Sequence, residues 1–188
     1  MTNERSIGSR RIYQGRVISL RVDNVLLPNG HTVEREIVEH GEAVVIVAVD
    51  SQKRVLLVRQ YRLPAGQVLL ELPAGSVEHG EDIVEGARRE LQEETGYAAK
   101  KMERIGGFYS APGFTTEFLH LFLATGLRRK PLTPDDDEQI ELVRTPISDV
   151  PGLILNEEVK DAKSVAGLLT FLLRVQGNTR SSLLDLNQ

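Results

Sequence analysis

The chain contains no cysteine, which removes disulfides, thiolate chemistry and cysteine-ligated zinc from consideration and gives no hint of secretion. Long apolar runs are missing too, since none approaches the roughly 20 residues of a membrane span, and the polar start MTNERSIGSRR does not read as a targeting segment. A cytoplasmic protein is expected, with no membrane partner. There is no excess of positive charge: the net charge is −4, whereas nucleic-acid binders present a basic patch. A small anionic ligand stays open, provided that local arginines and metal ions receive it. No internal repeat or low-complexity linker divides the 188 residues, and 40% hydrophobic with 27% charged residues suits one compact domain with an appendage.

What the chain has in abundance is acid in one place. Gly75 to Tyr97 read GSVEHGEDIVEGARRELQEETGY, with six carboxylates between Glu81 and Glu94. Ile83, Ala87 and Leu91 recur every four residues and predict a helix with a core-facing stripe. At about 100° per residue, Glu94 lies roughly 60° from Leu91 and 40° from Glu90, with Glu93 on the other side of Glu90. Glutamates in a last helical turn face the negative end of the dipole, at a cost of a few tenths to about 1 kcal/mol each. Acids crowded at the margin of a buried face repel and take up protons unless a cation sits among them. Hard divalent cations bind oxygen, so Mg²⁺ or Mn²⁺ is the natural candidate. Read on composition alone, the same helix is also a solvated, glutamate-rich face, with Arg89 pairing Glu93 at i,i+4.

The loop ahead of the helix separates these readings. Gly75 and Gly80 bracket Ser76 to His79, leading from an apolar strand over Val68 to Leu72 into the helix. With Gly75, Glu81, Arg89, Glu90, Leu91, Glu93, Glu94, Gly96 and Tyr97 at fixed spacing, the segment resembles the box of the Nudix hydrolases. Tyr97 stands where that family usually has an aliphatic residue. Nine constrained positions are a specific signal.

Short β-favouring runs at Ile12 to Val17, Ser19 to Leu26 and Thr32 to Val38 predict a small N-terminal sheet, with a turn at Pro28, Asn29 and Gly30. A sheet of that size has little core of its own and must pack elsewhere. Ala43 to Val49 and Val55 to Tyr61 read as a hairpin turning at Asp50 to Lys53. Further strands are expected at Ile105 to Tyr109, Phe118 to Ala124 and Ile140 to Thr145. A second helix is expected over Asp161 to Gln176, with Val165, Leu168, Leu169 and Leu172 as a core stripe and Gly177 as its stop. The resemblance implies an α/β fold, the Nudix α/β/α sandwich with a mixed sheet, preceded by a small N-terminal antiparallel β segment. The expected organisation is an N-terminal β segment over residues 1–40 serving dimerisation, a hydrolase domain over 41–177 and a tail over 178–188.

Outside the box, RIYQGRV, REIVEHG, VLLVRQYRLPAG, LLELPAGSVE and SAPGFTTE, with Pro112 sixteen residues after Gly96, resemble the ADP-ribose pyrophosphatase branch. That resemblance implies Mg²⁺-dependent hydrolysis of the pyrophosphate bond of ADP-ribose and related ADP-sugars, giving AMP and a sugar phosphate such as ribose 5-phosphate. GDP-mannose or another nucleoside diphosphate sugar is the alternative substrate, and a non-catalytic ADP-ribose sensor the alternative class. It also implies a homodimer through the N-terminal strands. Metal ligands are expected at Glu90, Glu94 and Glu93 with the backbone carbonyl of Ala74. Gly75, Glu81, Arg89 and Gly96 take structural roles, though Glu81 and Arg89 fit either role. Catalysis falls to Glu93 and Glu94 with a base on the acidic loop Asp135 to Glu138, where alignment on the strand IELV favours Glu138. Arg35 and Arg62 stand where the branch contacts phosphate or ribose, and each also fits a surface ion pair. Glu117 is a second candidate for ligand contact. Tyr13 either stacks on a purine or belongs to the core of the small sheet.

Overall fold

The computed structural model describes residues 3–132 and 139–184, with side-chain positions through residue 177. The chain forms two compact units. The first comprises residues 1–42 and 108–119. Its antiparallel sheet runs β1 (Arg5–Gln14), β2 (Ile18–Leu26), β3 (Thr32–His40). The β2–β3 turn closes as expected around Asn29 and Gly30, with the Leu27 N–H on the His31 carbonyl at 2.8 Å. β1 begins seven residues earlier than its apolar alternation suggests, because β2 offers a ladder from Leu26, opposite Arg5, onward. Residues 108–119 lie against β3, where the Thr116 hydroxyl accepts from His40 N at 3.0 Å and donates to the His40 carbonyl at 3.1 Å.

The second unit comprises residues 43–107 and 120–188. Its mixed seven-stranded sheet is ordered β10 (Ile140–Pro146), β5 (Arg54–Arg62), β4 (Ala43–Val49), β9 (Phe118–Arg129), β8 (Tyr97–Tyr109). β6 (Gln67–Glu71) pairs with β5, and β7 (Ala74–Ser76) pairs with β4. Among the described residues the helices are α1 (Ile83–Thr95), the short α2 (Val150–Leu155) and α3 (Ala162–Leu184). β4 is apolar on both faces. Val44, Ile46 and Ala48 pack with Ala87 and Leu91 of α1, while Val45 lies beside Gly167 of α3. The result is the expected α/β sandwich.

Two expectations fail on α3. The helix runs through Gly177 to Leu184, since a mid-helix glycine costs only about 1 kcal/mol and flanking turns can carry it. Leu169 is 44% exposed, so the core stripe narrows to Leu168 and Phe171 with partly buried Val165 and Leu172. Tyr13, 57% exposed, is no core residue; its ring lies over Gly15.

Candidate active site

α1 starts later than the acid run. Asp82 is its N-cap, accepting the N–H groups of Val84 at 2.9 Å and Glu85 at 3.2 Å. Glu81 therefore sits in the preceding loop. At the other end Gly96 adopts φ 76° and donates to the Gln92 carbonyl, closing the helix in a left-handed conformation that glycine takes without strain. No basic residue lies in the last turn, so the acids there carry their dipole penalty. Packing outweighs it, because a buried Leu91 alone contributes about 1.5–3 kcal/mol.

Arg89 is the hub of the cluster. Its guanidinium donates to Glu81 through two bonds of 3.0 Å, to Glu90 at 2.8 Å, to Glu93 at 2.9 Å and to the Ser76 carbonyl at 3.0 Å. Glu81 in turn accepts the Glu78 N–H at 2.9 Å. Loop and helix are thereby tied through one side chain. The hydrogen bonds to Glu81 raise the Arg89 pKa above its ordinary value, and the same bonds hold the Glu81 carboxyl below its own.

The acids converge on the backbone of β7. Glu94, 7% exposed, accepts the Ala74 N–H at 3.0 Å. Glu90 lies over Gly75 so closely that a Cβ there would meet its carboxyl group at 2.1–2.2 Å. Register explains the direction of Ala74. Ile46 N–H bonds the Pro73 carbonyl, and Val45 stands opposite Ala74. Paired residues alternate between bonded and non-bonded positions along an antiparallel ladder, so the Ala74 carbonyl turns away from β4, as its N–H does, toward the Glu94 side.

Three carboxylates around one guanidinium, with Glu94 on the Ala74 N–H beside them and a backbone carbonyl turned to the same side, are an oxygen-only donor set that fits a hard divalent cation. Among the described residues no three acidic or histidine side chains form a ready cation cage. Arg89 holds Glu90 through one carboxylate oxygen and Glu93 through one. Gly75→Ala is expected to fold with a modest loss of stability, because only the end of a flexible side chain is displaced. Its divalent-cation affinity falls about 10-fold or more, read by calorimetric titration; unchanged affinity contradicts the placement of Glu90.

Sequence reasoning does not single out Glu71, yet it is 1% exposed. Arg62 grips it at 3.1 and 2.8 Å, and Lys163 of α3 donates to the same carboxylate. A lone acid in the apolar run VLLELPAG is the available signal. Burial pushes the Glu71 pKa up, and Arg62 with Lys163 more than offset it, leaving it lowered. Glu71 and Glu81 thus both stabilise the fold above the ordinary carboxylate value of 4.5, and this contribution is lost as pH falls through their lowered folded values. Urea unfolding is expected to give constant stability from about pH 7 to 5 and a decline below about pH 4.5; a flat profile into that acid range contradicts it.

The remaining candidates stand apart from this cluster in chain position. Arg35 pairs with Glu4 at 2.8 Å on an exposed face, and Glu117 lies 3.6 Å from His40 Nδ1; both, with Tyr13, belong to the first unit. Glu138 lies outside the described residues.

The glycine-closed acidic helix packed on a mixed sheet is the arrangement of a Nudix domain, and residues 39–168 match the NUDIX domain. The chain belongs to the Nudix family. Residues 4–38 match the nucleoside diphosphate sugar hydrolase N-terminal domain. The chain is 42% identical to the ADP-ribose pyrophosphatase of Bacillus subtilis (strain 168) over 86% of this chain and 88% of that protein. It is 40% identical to the methanol dehydrogenase activator of Bacillus methanolicus over 86% and 89%. A solved structure described as an ADP compounds hydrolase shares the fold with a TM-score of 0.87 at 22% identity, covering 96% of this chain and 98% of that one.

Proposed function

We propose that this protein hydrolyses the pyrophosphate bond of ADP-ribose and related ADP-sugars, releasing AMP and a sugar phosphate such as ribose 5-phosphate. The observation that carries the reading is the convergence of Glu90 and Glu94 on the Ala74–Gly75 backbone, in a chain similar over most of its length to an ADP-ribose pyrophosphatase. Glu90, Glu93, Glu94 and the Ala74 carbonyl would hold Mg²⁺, with Mn²⁺ as a substitute. The chemistry such an ion would supply is polarisation of phosphoryl oxygens and activation of water for in-line attack. The chain's own residues do the positioning. Arg89 gathers the acids, and Glu81 fixes the loop that follows Gly75. Gly75 leaves room for Glu90, and Glu94 aligns Ala74. Arg62, already held by Glu71, and Arg35 offer guanidinium groups to phosphate or ribose. Glu117 and Tyr13 are further substrate contacts, and Glu138 is the base that the family resemblance supplies.

The protein is cytoplasmic and works as a homodimer in this reading. All ten residues of β1 are exposed, Ile7, Ile12 and Tyr13 among them, and a partner subunit covers them. Light scattering gives twice the chain mass; a monomer throughout the micromolar range contradicts it. No helix of the described residues is long and apolar enough to cross a membrane.

The test is a substrate panel of ADP-ribose, GDP-mannose and diadenosine polyphosphates with Mg²⁺, products separated by chromatography. ADP-ribose is cleaved fastest. Faster cleavage of GDP-mannose overturns the choice of base and keeps the reaction class.

A further inference from the structure

The strand residues just ahead of the acid site are anchored by α3, about 90 residues further along the chain. Ser164 is fully buried, and its hydroxyl accepts the Leu72 N–H at 2.7 Å. One turn later Gly167 lets the helix close on the same residue, since a Cβ there would meet Leu72 Cδ1 at 2.7 Å and Leu121 Cδ1 at 3.0 Å. Lys163 bonds both Glu71 and, at 3.0 Å, Asp161; Asp161 also accepts the Ser164 N–H at 3.2 Å. Arg62 holds Glu71 from β5.

These contacts have a direction. Pro73 has no N–H, so the backbone donors of residues 72 to 74 are those of Leu72 and Ala74. One goes to Ser164 of α3 and the other to Glu94 of α1. The Pro73 carbonyl between them takes Ile46 of β4. A short segment held at both donors by side chains of two helices cannot move at one end without moving the other. If Leu72 slides, Ala74 loses its alignment with Glu94, and the backbone carbonyl and the carboxylate separate together.

We propose that Ser164 is a positioning residue for the divalent-cation site, acting through Leu72 and Pro73 on the Ala74 carbonyl and Glu94. The proposal rests on the metal-dependent reading above. It goes further in assigning to α3, which contributes no acid to the cluster, control over cation affinity. The competing account is that Ser164 only adds stability, as any buried hydrogen bond does.

The experiment compares the wild-type protein, Ser164→Ala and Phe171→Leu. Phe171 is a buried α3 residue whose side chain has no hydrogen-bonding group, so its substitution lowers stability without removing a hydrogen bond to residues 71 and 72. Mn²⁺ binding is read by electron paramagnetic resonance well below the Tm of every variant, and ADP-ribose turnover is measured in parallel. Ser164→Ala is expected to weaken Mn²⁺ binding about 10-fold and to lower kcat more than it changes KM, while Phe171→Leu binds Mn²⁺ as the wild type does. Wild-type Mn²⁺ affinity in Ser164→Ala, or equal weakening in both variants, overturns the proposal. Should Ser164→Ala fail to fold, Lys163→Met, which releases Glu71 from the same helix, takes its place: weakened Mn²⁺ binding supports the proposal and wild-type affinity overturns it. A wild type that binds Mn²⁺ yet cleaves nothing overturns the hydrolase reading, and a weakened Ser164→Ala in that case leaves the positioning role standing.

Discussion

Glu94→Gln is expected to lower the rate of ADP-ribose hydrolysis about 10²- to 10³-fold, equivalent to the loss of roughly 3–4 kcal/mol of transition-state stabilisation. The substitution is chosen because glutamine keeps an oxygen that can accept the Ala74 N–H, which Glu94 takes at 3.0 Å. It removes the charge and leaves the shape. Stability should therefore hold or rise slightly, since a glutamate in the last turn of α1 opposes the helix dipole by a few tenths to about 1 kcal/mol. Activity and Tm are expected to move independently. A variant with most of its activity, or one whose Tm drops in proportion to its activity, assigns Glu94 to the fold instead.

Arg89→Ala is expected to act in the opposite way. Arg89 joins Glu81, Glu90, Glu93 and the Ser76 carbonyl, so its removal leaves crowded carboxylates and an untied loop. The side chain is 24% exposed, which places the loss at about 2–3 kcal/mol, below the roughly 3–5 of a fully buried pair. For a chain of this size that lowers Tm by about 5–10 °C. Mg²⁺ should restore part of the loss, because a cation among the acids replaces the guanidinium charge. Thermal unfolding with chelator and with Mg²⁺ measures this. An identical loss in both conditions contradicts the picture of one acid cluster shared by arginine and metal.

Much of this site is legible in the sequence because its information is local. The spacing Glu90, Leu91, Glu93, Glu94 fixes which side chains share a helix face, and Gly96 ends the helix at φ 76°. The Arg89–Glu93 pair follows from i,i+4 geometry alone. Glu81 reads as part of the same acid run, yet the Asp82 cap leaves it in the loop, from which it reaches Arg89.

What escapes depends on distant partners. β7 is three residues, Ala74–Ser76, with no strand pattern of their own, and exists because β4 pairs with it. Glu71 and Lys163 are 92 positions apart, and no periodicity links them. Gly177 reads as a helix stop in isolation, but α3 continues through it. Tyr13 sits in an alternating strand yet faces outward, as does the whole of β1.

The most direct test of the central claim is ³¹P NMR of the protein with ADP-ribose, first with chelator and then with Mg²⁺. The diphosphate resonances are expected to persist with chelator. On adding Mg²⁺ they should give way to two monophosphate resonances of equal area, those of AMP and ribose 5-phosphate. ADP-ribose that binds and remains intact with Mg²⁺ present contradicts hydrolysis and identifies the protein as a binding sensor.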